Sequence, residues 1–301
     1  MINWRFYGAL LAACRCGELF YHNDSGPRSF FCESRSEHAA ANCVLHAGPL
    51  DSFPDQPMPL QRHRFANADL AADALAGAIA ADLRAALSQQ SRALLLVSGG
   101  RSPIPMLAAL ACQSVDWARI DVSLVDERSV PPGDEEANAR LIHQHLLTGD
   151  AAAAGWIALM PDALFRQASD PLAAAQAAAD QANGEARLAN ATVIVLGMGN
   201  DGHTASLFVD APQWPQACLT TRRYVALQPA CAPHARVSLS LSALLSQRRC
   251  YLWAVGAEKS ATLARIEATV ALDDSAARCA LAGPIACLLA DPGMMVEAYC
   301  D

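Results

Sequence analysis

The chain has 301 residues, of which 53% are hydrophobic and 17% are charged, and its formal net charge at pH 7 is −8. This apolar content is too high for a disordered chain and predicts a packed globular protein of one large α/β domain or two small ones. The acidic balance, with no block of Lys and Arg, argues against a nucleic-acid surface, and no apolar run reaches the length of a membrane span.

The eleven cysteines form no Cys-x-x-Cys pair, and no His cluster has a spacing typical of zinc ligands. In the body of the chain Cys112, Cys250 and Cys287 stand singly among apolar residues, where a reduced thiol behaves as a small hydrophobic group. We therefore expect a reducing, cytoplasmic location.

Residues 1–57 differ from the rest of the chain, because they carry no helical or strand period longer than one turn. We expect them to be an extension outside the fold, with translation beginning at Met58 and a single α/β domain over residues 58–301. A lipoprotein signal is the open alternative, since residues 11–14 (Leu-Ala-Ala-Cys) follow a short apolar run.

The first regular pattern is a helix that begins near residue 67, with Asn67 or Asp69 as its cap. Its apolar residues at helical spacing are Leu70, Leu75, Ile79, Leu83 and Leu87. A buried strand over residues 93–97 then meets a Gly-rich loop, residues 98–103 (Ser-Gly-Gly-Arg-Ser-Pro), and a helix over residues 103–112. A strand, a Gly-rich loop and a helix N-terminus can bind phosphate through free N–H groups, with an ordinary strand-to-helix turn as the alternative.

Three charged residues, 126–128 (Asp-Glu-Arg), follow a strand predicted over residues 120–125. Such residues are usually solvated, but at the ligand-binding edge of a parallel sheet they are expected to face a site. Helix is predicted over residues 138–147. Residues 151–191 are rich in Ala and predicted to be helical, with the main helix starting at Asp170.

A strand predicted over residues 192–196 leads directly into residues 197–208 (Gly-Met-Gly-Asn-Asp-Gly-His-Thr-Ala-Ser-Leu-Phe). Five aliphatic or β-branched residues in a row are typical of a strand buried on both faces. The three glycines let backbone N–H groups approach a ligand closely. Asp201 and His203 bring a carboxylate and an imidazole into this loop, either as catalytic groups or as an ordinary solvated pair.

The remainder of the chain continues the alternation of strands and helices. Thr204 or Ser206 is expected to cap a helix after the central loop. Further strands are predicted over residues 224–227, 235–240, 250–255 and 295–299, with a short helix to Ser246 and another after residues 256–259. The pattern predicts an α/β fold whose open, mostly parallel, doubly wound sheet is covered by helices on both faces.

Four segments in this order resemble one superfamily: residues 98–103, 126–128, 197–208 and 256–259 (Gly-Ala-Glu-Lys). It is the superfamily of glucosamine-6-phosphate isomerases and 6-phosphogluconolactonases, and the likeness, to the lactonases within it, covers roughly residues 64–301. The resemblance implies a Rossmann-like sheet of the sugar-phosphate isomerase type. It also implies an enzyme without cofactor or metal that hydrolyses the δ-lactone of 6-phosphogluconate in the oxidative pentose phosphate pathway. The implied partner is a sugar-phosphate lactone, without nucleic acid or membrane, bound by a monomer or small homo-oligomer.

The resemblance also implies roles for individual residues. His203 is the implied general base toward water, Asp201 orients its imidazole, and Arg128 stabilises the tetrahedral intermediate. The implied substrate and phosphate contacts are Ser98, Gly99, Gly100, Arg101, Ser102, Asp126, Gly199, Arg236 and Lys259. For Arg236 an ordinary surface position on an edge strand is the open alternative.

Three other functions are compatible with parts of the sequence. A sugar-phosphate isomerase or deaminase of the same superfamily needs a carboxylate five residues after the histidine, where this chain has Phe208. An NADP-dependent oxidoreductase would use the glycines of residues 197–202 as a dinucleotide motif, with Arg222 and Arg223 in place of the usual acidic residue. A non-catalytic sugar-phosphate sensor would keep the phosphate loop and lose the base, so the presence of His203 argues against it.

Overall fold

The computed structural model describes residues 60–272 and 283–301. The extension expected over residues 1–57 and the start expected at Met58 lie outside the described residues. The strands are β1 (Leu60–Arg64), β2 (Ala93–Val97), β3 (Ile120–Leu124), β4 (Asp126–Arg128), β5 (Gly155–Trp156), β6 (Val193–Gly197), β7 (Tyr224–Leu227), β8 (Arg236–Leu239), β9 (Arg249–Trp253) and β10 (Met295–Cys300). The helices are α1 (Ala68–Leu87), α2 (Ile104–Ala111), α3 (Asn138–His145), α4 (Asp162–Gln167), α5 (Pro171–Gly184), α6 (Trp214–Leu219), α7 (Leu241–Ser246), α8 (Ala257–Leu272) and α9 (Pro284–Ala290).

A parallel sheet forms the centre of the described part of the chain. Its seven strands lie in the order β1-β10-β9-β6-β2-β3-β5, and every pair of neighbours is parallel. Every residue of β2 and β3 is buried, as expected of strands covered on both faces. This sheet confirms the α/β fold predicted from the alternation of strands and helices.

Two helix starts predicted from capping residues are confirmed. The side chain of Asn67 accepts a hydrogen bond of 2.9 Å from the backbone N–H of Leu70, so Asn67 and not Asp69 caps α1. Asp170 accepts a bond of the same length from the N–H of Ala173 and caps α5. Within residues 60–272 and 283–301, no helix is both long enough and apolar enough to cross a membrane.

The buried stripe of α1 differs from the predicted one at its first residue. Leu75, Ile79 and Leu83 are fully buried, but Leu70 is 50% exposed. The buried stripe begins at Ala71, four residues before Leu75, and Leu70 lies about 100° around the helix from Ala71. The periodicity therefore identified the helix and misplaced the start of its apolar face.

A second sheet, which the alternation did not predict, is formed by β4, β8 and β7 in that order. Both of its strand pairs are antiparallel, with Asp126 opposite Ser238 and Arg128 opposite Arg236. The expectation that β7 and β8 belong to the alternating parallel sheet is therefore wrong. The chain between them spans residues 228–235, which is too short for the crossover that parallel neighbours need.

Val125 joins the two sheets. Its backbone N–H donates to the carbonyl of Val97 at the end of β2, and its own carbonyl accepts from Leu239 at the end of β8, at 3.0 and 2.8 Å. The charged residues of β4 are consequently not a solvated loop after β3. They belong to a strand held beside the carboxyl end of the large sheet.

The helix expected directly after the central loop is absent, because the next described helix is α6, which begins at Trp214. The hydroxyls of Thr204 and Ser206 bind elsewhere: Thr204 donates to the carbonyl of Gly197 at 2.6 Å, and Ser206 donates to Asp126 at 2.5 Å. Between them Ala205 has a φ of 51° and the chain turns back on itself. The two hydroxyls fix a tight turn and do not cap a helix.

Gly77 offers a test of the packing of α1. No atom lies within 4 Å of the position that a Cβ would take there, so Gly77→Ala adds no clash. Alanine loses less backbone entropy than glycine in a helix interior, so the free energy of unfolding should rise by about 0.5–1 kcal/mol. Urea denaturation followed by circular dichroism measures this change.

Gly155→Ala is the matched control, because a Cβ at Gly155 in β5 would lie 2.4 Å from Oδ1 of the buried Asp121. This variant should be less stable than the parent. Equal shifts of the denaturation midpoint in both variants would contradict the packing described.

Candidate active site

A pocket lies where the carboxyl ends of β2, β6 and β9 meet the small sheet. The sequence-predicted residues that line it are Ser98, Gly99, Gly100, Arg101, Ser102, Asp126, Arg128, Gly199, His203, Arg236 and Lys259. The twelfth predicted residue, Asp201, lines an adjoining pocket together with His203. The fold therefore brings together residues that are up to 161 positions apart in the chain, as strand ends of one sheet should.

The imidazole of His203 is oriented by Asp201. Nδ1 of His203 lies 2.6 Å from Oδ1 of Asp201, and the backbone N–H of His203 donates to the same oxygen at 3.2 Å. The side-chain hydrogen bond with His203 lowers the pKa of Asp201 to about 2, although partial burial opposes this shift. An ionised carboxylate can only accept, so Nδ1 carries the proton and the lone pair of a neutral imidazole is on Nε2. That arrangement presents Nε2 as a proton acceptor.

An aromatic ring supports one face of the same imidazole. The ring of Phe208 is stacked on His203, with centroids 4.0 Å apart and an angle of 29° between the planes. The guanidinium carbon of Arg236 lies 5.2 Å from the centroid of Phe208. Stacking and the bond to Asp201 together restrict both the tilt and the rotation of the imidazole.

Buried polar groups fill the wall next to Phe208. Ser206 Oγ donates to Oδ2 of Asp126 at 2.5 Å and accepts from Nη1 of Arg236 at 3.3 Å. Arg236 is 7% exposed, so the alternative of a surface arginine is wrong. Burial lowers the pKa of Arg236, and the carboxylate of Asp126 opposes that shift. A cation buried in the pocket wall is thus balanced mainly by one buried carboxylate.

The Gly-rich loop after β2 is held at both of its ends. The hydroxyl of Ser98 accepts from the N–H of Gly197 at 2.8 Å, which ties the loops after β2 and β6 together. At the other end, Ser102 Oγ accepts from Nζ of Lys259 at 2.9 Å and from the indole N–H of Trp253 at 3.2 Å. Burial lowers the pKa of Lys259, so an anion near its ammonium would be favourable. The loop then runs through Pro103 into α2.

Arg128 reaches the pocket from β4. Its Nη1 donates to the carbonyl of Glu136 at 2.5 Å, and the carboxylate of Glu136 lies 3.6 Å away. Its neighbour Glu127 points the other way and is buried, accepting from the N–H groups of Arg128, Asn138 and Ala139 at 2.7–2.8 Å. Burial raises the pKa of Glu127 to about 7, against the effect of these three donors.

Two lining residues that lie outside the four segments of the resemblance, Asn138 and Trp253, are not predicted as site residues from the sequence. The sequence predicts Asn138 as the start of a helix and Trp253 as part of a buried apolar strand, and both predictions are confirmed. A buried Trp needs a partner for its indole N–H, and that requirement is the signal that could have found it. Among the residues that the structure describes, no group of three or more His, Cys, Asp and Glu side chains could hold a metal ion.

Gly199 leaves the space that the imidazole occupies. A Cβ at this position would lie 2.3 Å from Cε1 and Nδ1 of His203 and 2.5 Å from Oδ1 of Asp201. Gly199→Ala should therefore separate His203 from Asp201 and lower the free energy of unfolding by about 1–3 kcal/mol, the usual cost of overpacking. The ¹⁵N chemical shifts of the His203 ring should report the lost bond to Nδ1. Gly77→Ala is the control, and unchanged His203 shifts in Gly199→Ala would contradict this geometry.

The comparisons with known proteins agree with the geometry. The family model of glucosamine-6-phosphate isomerases/6-phosphogluconolactonase matches residues 66–291. A 6-phosphogluconolactonase of Pseudomonas putida is 42% identical over 209 residues, which are 69% of this chain and 83% of the relative. One from Neisseria meningitidis is 40% identical over 202 residues, 66% of this chain and 84% of the relative.

A solved structure is also similar to this chain. The crystal structure of a 6-phosphogluconolactonase from Shewanella baltica superposes with a TM-score of 0.69 at 33% identity, over 79% of this chain and 96% of the other. The family match covers most of the chain and contains every predicted site residue. The chain belongs to the glucosamine-6-phosphate isomerase/6-phosphogluconolactonase family.

Proposed function

We propose that this chain hydrolyses 6-phospho-D-glucono-1,5-lactone to 6-phosphogluconate, in the oxidative pentose phosphate pathway, by general-base activation of water. Its relatives at 40–42% identity carry the name 6-phosphogluconolactonase. The observation that carries the proposal for this chain is that one pocket contains both an oriented imidazole and a loop suited to phosphate. His203 lies on one wall of the pocket, and Ser102 with Lys259 lies on another.

In the proposed reaction, Nε2 of His203 takes a proton from water, and the water oxygen forms a bond to the lactone carbonyl carbon. The carbonyl oxygen becomes negative in the tetrahedral intermediate, where the guanidinium of Arg128 stabilises it. The carbon–ring-oxygen bond then breaks while the imidazolium of His203 donates its proton to the leaving oxygen. The products are a carboxylic acid and a free hydroxyl on one open chain, and His203 returns to its neutral form.

The ionised Asp201 has two effects in this scheme. It keeps the proton on Nδ1, so that Nε2 is the basic nitrogen, and it stabilises the imidazolium that forms transiently. Asp201 itself exchanges no proton. It is a positioning residue on the side of the imidazole that faces the adjoining pocket.

The phosphate is assigned to the loop of residues 98–102, the N-terminus of α2 and the ammonium of Lys259. Free N–H groups and the helix dipole favour an anion there, and Lys259 supplies a point charge. Arg101 is exposed at the rim, and Arg236 adds a second charge from the small sheet. These local cations work against a net charge of −8 for the whole chain.

Specific observations weigh against the alternatives. In place of the carboxylate that isomerases and deaminases need, Phe208 is stacked on His203. The glycines of residues 197–202 open a tight turn and no helix, which removes the context of a dinucleotide motif. Arg222 is paired with Asp180, and Arg223 donates to the carbonyl of Ala182. A sensor that only binds its ligand has no need for a carboxylate that orients an imidazole.

We also place the protein in a reducing, cytoplasmic compartment, as a monomer or small homo-oligomer. Cys250 is buried, and its burial raises its thiol pKa to about 12, which makes it an inert apolar residue. Cys112 is exposed, so the expectation that it behaves as a buried thiol is wrong.

A coupled assay tests the proposed function. Fresh 6-phosphogluconolactone is supplied, and 6-phosphogluconate dehydrogenase reports the product, with the spontaneous hydrolysis measured in parallel. Hydrolysis well above the spontaneous rate, in proportion to the protein added, supports the function. A rate equal to the spontaneous one at high protein concentration would contradict it.

His203→Ala should lower kcat by about 10²–10⁴-fold, the usual contribution of a general acid–base group. KM should change little, because the phosphate contacts remain. His143→Ala is the matched control, since His143 lies exposed on α3 with its ring against Trp156 and outside the pocket. Near-normal turnover in His203→Ala would show that the base is another residue.

Lys259→Ala should raise KM with little change in kcat, because a hydrogen bond to a charged group contributes about 1.5–3 kcal/mol. Lys259 is the one lysine of the chain, so reductive methylation with ¹³C-formaldehyde labels one side-chain amine. Its NMR signal should shift when 6-phosphogluconate is added. A loss confined to kcat, with no shift of that signal, would show that Lys259 does not bind the phosphate.

A further inference from the structure

Two buried side-chain atoms in the described part of the chain have no hydrogen-bond partner, and both belong to residues that line the pocket. They are Oδ1 of Asn138 and Nε of Arg128. Buried polar atoms in native proteins are nearly always paired, and leaving one unpaired costs about 1–3 kcal/mol. An unpaired acceptor and an unpaired donor in the same pocket wall therefore point to a polar ligand.

The orientation of the Asn138 amide follows from its surroundings. Its Nδ2 donates to the backbone carbonyl of Asp126 at 3.0 Å, and a carbonyl can accept only from the NH₂ end of the amide. The oxygen must then point away from Asp126. It lies against the Gly-rich loop, because a Cβ on Gly99 would come within 2.2 Å of Oδ1. Asn138 is 2% exposed, so bulk water does not satisfy this oxygen.

Glu127 fixes the backbone of Arg128 and Asn138, the two residues whose side chains carry the unpaired atoms. One carboxylate oxygen, Oε1, accepts from the N–H of Arg128 at 2.7 Å and from the N–H of Asn138 at 2.8 Å. The other oxygen accepts from Ala139 at 2.7 Å. A single buried carboxylate thus joins the end of β4 to the start of α3. This anchoring sets the position of the Asn138 side chain at the joint between the small sheet and the phosphate loop.

We propose that Oδ1 of Asn138 accepts a hydrogen bond from a hydroxyl group of the sugar ring and makes Asn138 a specificity-determining residue. The inference rests on the proposed function. The chemistry of the substrate selects the hydroxyl: its lactone carbonyl, its ring oxygen and its ionised phosphate oxygens are acceptors and cannot satisfy another acceptor. Nε of Arg128 can donate to an oxygen of the same ligand.

A site that binds a hydroxyl in this way rejects a substrate that lacks it, because its own buried oxygen is then left unpaired. Lactones of 6-phosphogluconate that lack the hydroxyl at carbon 2, 3 or 4 provide the test. The wild-type protein should lose about 5- to 100-fold in kcat/KM with one of the three. Asn138→Ala should lose a similar factor with the complete substrate, and should show no further loss with that one deoxy substrate.

The control variant is Asn183→Ala, because Asn183 is a satisfied amide outside the pocket. Its Nδ2 donates to the carbonyls of Ala179 and Tyr224, and its Oδ1 accepts from the N–H groups of Arg223 and Tyr224. This variant should be less stable and should keep the wild-type discrimination between substrates. Should Asn138→Ala unfold, Asn138→Leu, which fills the space of the amide, takes its place.

If the loss of kcat/KM caused by Asn138→Ala and the loss caused by each missing hydroxyl simply multiply, the two are independent. That result would overturn the inference and assign Asn138 a purely structural role. Equal rates of the wild type with all four lactones would also overturn it, since a water would then be the partner of Oδ1. Calorimetry gives the same comparison for affinity, with 6-phosphogluconate and its deoxy forms binding to the wild type and to Asn138→Ala. If no lactone is hydrolysed, the proposed function fails, and these affinities still decide whether Asn138 binds a hydroxyl.

Discussion

The hydrogen bond between Nδ1 of His203 and Oδ1 of Asp201 is the interaction on which the rest of the site depends. It exists because Gly199 has no side chain, and the imidazole takes the space that a Cβ would fill. Phe208 then supports the ring from one face. Glycine, carboxylate and aromatic ring, all within ten residues of one loop, thus define which nitrogen of one histidine is basic and where it points.

Two sheets of different kinds supply the rest of the pocket. The ends of parallel strands carry the Gly-rich loop and His203, while the small antiparallel sheet carries Asp126, Arg128 and Arg236. Their junction at Val125 consists of backbone hydrogen bonds, so the charges of the small sheet have fixed positions relative to the loops. In this wall Arg236 and Asp126 are joined through Ser206, and the two unpaired buried atoms, Nε of Arg128 and Oδ1 of Asn138, belong to residues that line the pocket.

Much of this architecture could be predicted, because buried parallel strands are continuous apolar runs and capping residues such as Asn67 bind locally. The small sheet could not be, since the pairing of β4 with β8 joins residues more than 100 positions apart and β4 consists of three charged residues. Strand β1 was missed because its Leu-Gln-Arg-His-Arg sequence has one apolar residue. The role of Asn138 could not be predicted for a related reason, because its unpaired oxygen depends on how α3, β4 and the Gly-rich loop meet in space.

The ring ¹⁵N chemical shifts of His203 and the value of kcat, measured side by side for the wild type and Asp201→Asn, test whether the bond between these two residues controls the site. The shifts report which ring nitrogen carries the proton, and kcat reports whether that choice matters for turnover. In the wild type the hydrogen bond with His203 lowers the pKa of Asp201 to about 2, and the ionised carboxylate holds the proton on Nδ1. We expect Asp201→Asn to lose this preference for a proton on Nδ1 and to turn over more slowly than the wild type. Unchanged ring shifts together with an unchanged kcat in Asp201→Asn would contradict this role of Asp201.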